Sequence, residues 1–280
     1  MSQRLQEFEE VGYLVLENVF SGEEMQQLRS AANEIVQDFD VTKHASVFST
    51  TDRDRGRDAY FMNSAESVHC FLEAEALDDS GVLKVSKAQS INKIGHAIHD
   101  RVPPFRQFCQ HPFFATILRD LGYASPLLWQ TMYIFKNPQI GGEVRWHQDA
   151  SYLQTRPRSV TGIWIAVDDA NRENGCLWMC PKAHRSPLRE LYAVEPGAQS
   201  GHLTTLDETP WPDADTALPI EVGAGSVVLF HDHMPHRSDA NRSSSPRHAF
   251  TMHVAEASST WSPQNWLQRH SLPPFPLHAG

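Results

Sequence analysis

This sequence predicts a mainly β fold of the sandwich or jelly-roll kind with flanking helices, on three observations. Beyond Pro126, short runs of strand length follow one another at turn-sized intervals, they are rich in β-branched and aromatic residues, and no helical periodicity separates them. Strands that succeed one another in this way build antiparallel sheets packed face to face. Seven Trp and fourteen Phe among 280 residues, 40% of them hydrophobic, fill a core without cross-links. We expect one domain over 1–280, with a helical and looped N-terminal part over about 1–125 and a jelly-roll core over about 126–257.

Residues 12–20, GYLVLENVF, alternate well enough for a short strand. Ser21 follows as a helix cap and Glu24 completes a capping box. Met25, Leu28, Ala32, Ile35 and Phe39 then recur at three- and four-residue spacing, the apolar face of a helix. From Val41 to about Ser80 the chain is polar and rich in Asp, Arg and Ser, which predicts a loop-dominated stretch, either folded over a site or a plain surface excursion. A second helix is expected from Pro112 to Leu121, stopped by Gly122. The strand runs are LLWQTMYIFK, GEVRWHQD, TGIWIAVDD, GCLWMCP, PIEVG, SVVLFHD and RHAFTMHVAEA.

A formal charge of −10 disfavours nucleic acid and anionic membranes as partners, since both reward clustered Lys and Arg, and favours a small neutral or cationic substrate. No segment is long and apolar enough to span a bilayer and the N-terminus lacks a signal-peptide pattern, so a cytoplasmic location is expected; PLHAG at the C-terminus is no peroxisomal signal. The cysteines at 70, 109, 176 and 180 form no C-x-x-C pair, and alternation with Leu177 and Met179 predicts that Cys176 and Cys180 share one strand face as small hydrophobes.

His147 and Asp149 lie two apart at the end of a predicted strand, so both side chains project from one face. Among fifteen histidines one such pair is near chance. SVVLFHDHMPHRS adds His231, His233 and His236 where an apolar strand runs into a loop. Two histidines and one carboxylate form the facial triad that leaves open positions on iron(II). The pattern does not choose among the three histidines, and a zinc site on His231 and His233 competes with it. Arg247 comes eleven residues after His236, enough for a turn and a return strand, and its guanidinium suits the distal carboxylate of 2-oxoglutarate.

Taken together, WHQDASYL, GIWIAVDDANRENGCLW, PHRS with PRHAF, and AEASSTWSPQNWLQ resemble the phytanoyl-CoA dioxygenase family over nearly the whole chain. The resemblance implies a double-stranded β-helix (jelly roll). It implies Fe(II) with 2-oxoglutarate and O2 as cosubstrates, and release of succinate and CO2 as an aliphatic carbon of a small molecule is hydroxylated. It selects His236, through the His-x-Ser element ending at Ser238, to join His147 and Asp149 as metal ligands. Arg247 matches the arginine that holds 2-oxoglutarate, and Lys93, Met132, Gln148, Trp164 and Ser238 match further cosubstrate-pocket residues. The chain departs from the family at PKAHRS, where His184 is kept but Pro-Gly-Ser-His is expected. Asp149 stands where halogenating relatives carry a small residue, which argues for oxygen insertion.

Two other classes compete. A jelly-roll binding module would use the histidines as polar lining and bind neither iron nor 2-oxoglutarate. A zinc hydrolase would need an acid-base carboxylate beside its metal, for which Asp232 is the candidate.

Overall fold

Period-two alternation decides which layer each strand face meets. On the strand Thr161–Ala166, Ile163 and Ile165 join one apolar cluster while Trp164 and Ala166 join another. On the strand Val227–His231, Val227 and Leu229 divide from Val228 and Phe230 in the same way. The first cluster lies under helices and the second between two sheets. Both are seen in a computed structural model that describes residues 2–43, 46–48, 59–195, 197–198, 200–213 and 215–277.

The larger sheet runs in the order Tyr13–Leu16, Val227–His231, Thr161–Ala166, Ala249–Glu256, Pro126–Ile134, Ile91–His96, Val68–Glu73 and Val47–Phe48, with Phe275–Pro276 added on Pro126–Ile134. The smaller one runs Leu218–Ile220, Leu177–Met179, His236–Ser238 and Val144–His147. Every strand run named from the sequence beyond Pro126 supplies one of these strands. The two facing sheets with flanking helices are a jelly roll.

The helices Gln3–Val11, Gly22–Asp38, Pro103–Cys109 and Pro112–Asp120 cover the outer face of the larger sheet through Phe8, Leu28, Phe105, Phe114 and Ile117. Burying one such side chain is worth about 1.5–3 kcal/mol. The capping box forms as expected: Ser21 Oγ accepts from Glu24 N at 3.3 Å, and Glu24 Oε2 accepts from Ser21 N at 2.8 Å. No helix among the described residues is long and apolar enough to cross a membrane.

Three expectations need correction. The stretch 41–80 is not loop-dominated where it is described: Val68–Glu73 is a strand inside the larger sheet and Ala59–Met62 a helical turn, with turns at 41–43 and 79–80, while residues 44–45 and 49–58 lie outside the described residues. Cys70, Phe71, Leu72 and Glu73 are all buried, so the strand shows no alternation to read. Cys176 and Cys180 do not share a strand face. The strand spans Leu177–Met179, Cys176 is buried with Leu177 and Met179, and Cys180 is half-buried. In PKAHRS, finally, the missing glycine leaves the turn in place: Lys182 adopts φ +69° and its N–H donates to Val11 O at 2.7 Å.

Candidate active site

The smaller sheet brings two distant histidines face to face. Val144–His147 and His236–Ser238 pair antiparallel with His147 opposite His236, so their ring centroids are 4.1 Å apart. Asp149 opens the 3-10 turn Asp149–Ser151 just beyond His147, with its Oδ1 3.9 Å from His147 Nε2 and 3.8 Å from His236 Nε2. Donor atoms of all three lie within 4.8 Å of one another, and among the described residues no other three such side chains converge.

Backbone carbonyls set the ring orientation. His147 Nδ1 donates to Arg145 O at 2.9 Å and His236 Nδ1 to Met234 O at 3.0 Å; a carbonyl only accepts, so both Nε2 lone pairs face the cluster. Burial, then the neighbouring His236, pushes His147 down to about 4 against the pull of Asp149, which keeps the ring neutral and able to bind a metal. Burial opposes ionisation of Asp149, yet His253 and His236 outweigh it and hold the carboxyl well below the usual range.

His253 is a residue that the sequence reasoning missed. Gln130 Nε2 donates to its Nδ1 at 3.0 Å, so His253 Nε2 carries the proton and donates to Asp149 Oδ2 at 3.1 Å. A signal existed: Ala249, Thr251 and His253 have the same parity on the strand Ala249–Glu256, and Arg247 precedes it in the same parity.

Two cavities meet at the cluster. The inner one, about 140 Å³, is lined by Arg247, Lys93, Met132, Trp164 and Ser238 as well as His147, Asp149 and His236. Arg247 is 2% exposed; its Nε donates to Gly175 O at 3.1 Å, its Cζ lies 5.5 Å from the Trp164 ring centroid, and its Nη1 is buried without a hydrogen-bond partner. Lys93 is buried with Nζ 3.4 Å from the Phe48 ring centroid. The outer cavity, about 490 Å³, has walls of Phe61, Trp146, Tyr152, Trp211 and Trp266 and also reaches His147 and Asp149.

Gln148 is not brought to either cavity. Alternation turns it away from its neighbours, and its amide is spent behind the strand: Nε2 donates to Pro187 O and His233 O at 3.1 and 3.0 Å, while Oε1 accepts from Arg189 N at 3.0 Å. The other two candidate histidines are also elsewhere. His231 pairs with Asp232 at 2.7 Å and stacks on Phe8, and neither it nor His233 joins a third ligand among the described residues. The zinc readings therefore lose their geometry.

With this geometry in hand, comparison with known proteins is decisive. The family model for phytanoyl-CoA dioxygenase matches residues 8–249. The chain belongs to the phytanoyl-CoA dioxygenase family. Phytanoyl-CoA dioxygenase domain-containing protein 1 of Danio rerio is 40% identical over 98% of this chain and 97% of its own length. Phytanoyl-CoA dioxygenase of Arabidopsis thaliana is 39% identical over 95% and 93%. In fold, the chain is similar to the non-heme alpha ketoglutarate dependent carbocyclase SnoK from nogalamycin biosynthesis, with TM-score 0.65 and 22% identity over 99% of this chain and 94% of that one. This phytanoyl-CoA dioxygenase family member is an oxidoreductase of the non-haem iron class, dependent on Fe(II), 2-oxoglutarate and O2.

Proposed function

We propose that the protein hydroxylates an aliphatic carbon of a small molecule, with iron held by His147, Asp149 and His236 and 2-oxoglutarate held by Arg247. One observation carries the reading: Asp149 Oδ1 and the two imidazole Nε2 atoms converge where the two cavities meet. Two neutral imidazoles and one carboxylate suit iron(II) and leave it open positions. The unpartnered Nη1 of Arg247 suits a carboxylate, which only accepts. Iron with 2-oxoglutarate and dioxygen supplies the oxidising power, and succinate and CO2 leave as by-products.

The chain's own part is placement. His253 fixes the Asp149 carboxylate through its Nε2 proton, and Trp164 backs the guanidinium of Arg247. Lys93, Met132 and Ser238 complete the cosubstrate pocket, and Leu177 and Phe230 on its wall help to exclude water. Gln148 is left out of that set and holds its strand from behind.

The outer cavity suits a small molecule with an apolar body. Its wall includes His96, whose ring is oriented by Ser64. Ser64 Oγ donates to Phe61 O at 2.5 Å, so it accepts from His96 Nδ1 at 2.7 Å, and the ring's remaining Nε2 is a lone pair suited to a substrate hydroxyl or amine. The test is succinate formation from 2-oxoglutarate with Fe(II), with Asp149→Ala beside the native protein. Loss of turnover is expected; native-rate turnover by Asp149→Ala overturns the metal assignment.

A further inference from the structure

Arg247 is not alone among the residues lining the inner cavity in having an unpartnered buried polar atom. Glu73 closes the strand Val68–Glu73, is 3% exposed, and lines the same cavity. Its Oε2 accepts from Gly142 N at 3.2 Å, and its Oε1 is buried without a hydrogen-bond partner. Glu73 and Arg247, each with one buried side-chain atom that has no hydrogen-bond partner, thus line one space of about 140 Å³.

A single ligand group can satisfy both only under one condition. The Arg247 N–H needs an acceptor, which the distal carboxylate of 2-oxoglutarate provides. A carboxylate cannot also donate to Glu73, so Glu73 must be the donor, and a carboxyl group donates only when protonated. Were Glu73 ionised, two carboxylates would compete for one guanidinium in a site shielded from water, which costs far more than the same pair in solvent.

We propose that Glu73 is a cosubstrate-binding residue of this site, holding the distal carboxylate of 2-oxoglutarate together with Arg247 by donating a hydrogen bond from its neutral carboxyl group. The proposal rests on the reading of Arg247 as the 2-oxoglutarate anchor.

The surroundings favour that state. Burial pushes the Glu73 carboxyl up, against Asn92, the Gly142 N–H and the positive charges of Lys136 and Arg247. Lys136 offsets little, because burial lowers it to about 7 and its Nζ already donates to Gly142 O at 2.8 Å and Asp239 O at 2.6 Å. A dianionic cosubstrate arriving beside Glu73 raises the carboxyl further, so any proton that Glu73 lacks is taken from solvent as 2-oxoglutarate binds. No other bond forms or breaks.

The experiment is anaerobic calorimetry of 2-oxoglutarate binding to the Mn(II)-loaded full chain across pH 6–9, for the native protein, Glu73→Gln, Glu73→Ala and Arg247→Met. The Gln amide also donates, so Glu73→Gln should bind within about threefold of native, while Glu73→Ala loses about tenfold or more. Native affinity should fall as pH rises, and Glu73→Gln should show a shallower fall, the remainder being the loss of charge on Lys136, which lines the same cavity and is lowered to about 7; a merely structural role of Glu73 does not predict the difference. Tighter binding by Glu73→Gln shows an ionised, repelling Glu73 and overturns the proposal, as does a pH slope unchanged by that substitution or equal affinity of native and Glu73→Ala. If Glu73→Ala does not fold, the Gln variant and its pH profile decide alone. Undiminished binding by Arg247→Met instead overturns the anchor reading, whatever Glu73 does.

Discussion

His253 donates its Nε2 proton to Asp149 Oδ2 at 3.1 Å, which leaves Oδ1 turned toward the His147 and His236 imidazoles. Outer partners of this kind commonly contribute about 10- to 100-fold to metal affinity. We expect His253→Phe to weaken Mn(II) binding by roughly that factor with folding retained, as read by metal titration alongside far-UV circular dichroism. Native affinity in the variant would remove the orienting role.

Gly162 lies on the strand beneath this carboxylate. A Cβ there would stand 2.5 Å from Phe230 Cε2 and 2.9 Å from Asp149 Oδ2, so the position tolerates no side chain without movement at the cluster. Gly162→Ala should cost about 1–3 kcal/mol in stability and should weaken metal binding as well. A denaturant melt paired with metal titration reads both.

Lys182 holds a left-handed conformation, φ +69°, at the turn where the family pattern carries glycine. A side chain there costs roughly 1–2 kcal/mol, and glycine returns about 0.5–1 of it in unfolded-chain entropy. Lys182→Gly should therefore raise stability by up to about 1 kcal/mol, visible as a higher Tm with catalytic turnover unaltered.

Buried His248 makes stability fall in acid. Its Nδ1 faces Tyr133 Oη at 2.9 Å and Arg29 Nη1 at 3.3 Å, and burial, opposed by Asp168 and aided by Arg29 and Arg247, lowers it to about 4. The unfolded ring takes a proton below about 6.5 and the folded ring does so only near 4, so this contribution is intact above the first value and lost on approaching the second. His248→Gln should flatten the decline by up to about 3 kcal/mol in unfolding measured from pH 7 to 4.

Sequence legibility followed physical cause. Strands with one face toward helices and one toward the interior, such as Thr161–Ala166, carried a readable apolar texture. Val68–Glu73 and Ile91–His96 were illegible as strands because buried polar residues, Glu73, Lys93 and His96, interrupt their apolar texture. His147 and Asp149 were legible from spacing, whereas choosing His236 over His231 required the family resemblance, since only sheet order reveals that His236 faces His147. Gln130 and Glu73 were invisible, and His253 showed no more than its parity with Thr251: one polar residue in an apolar strand means nothing until its neighbours across the sheet are known. Gln148 fell to the same alternation rule that had joined His147 to Asp149.

That displaced glutamine has a consequence of its own. Three hydrogen bonds anchor Gln148 between His147 and Asp149, and carbonyls hold the His147 and His236 imidazoles from behind. If these side chains hold iron as proposed, their orientation rests on hydrogen bonds within the polypeptide, and removal of the ion by a chelator should leave the far-UV circular dichroism unchanged, unlike that of small zinc modules that unravel when their metal leaves.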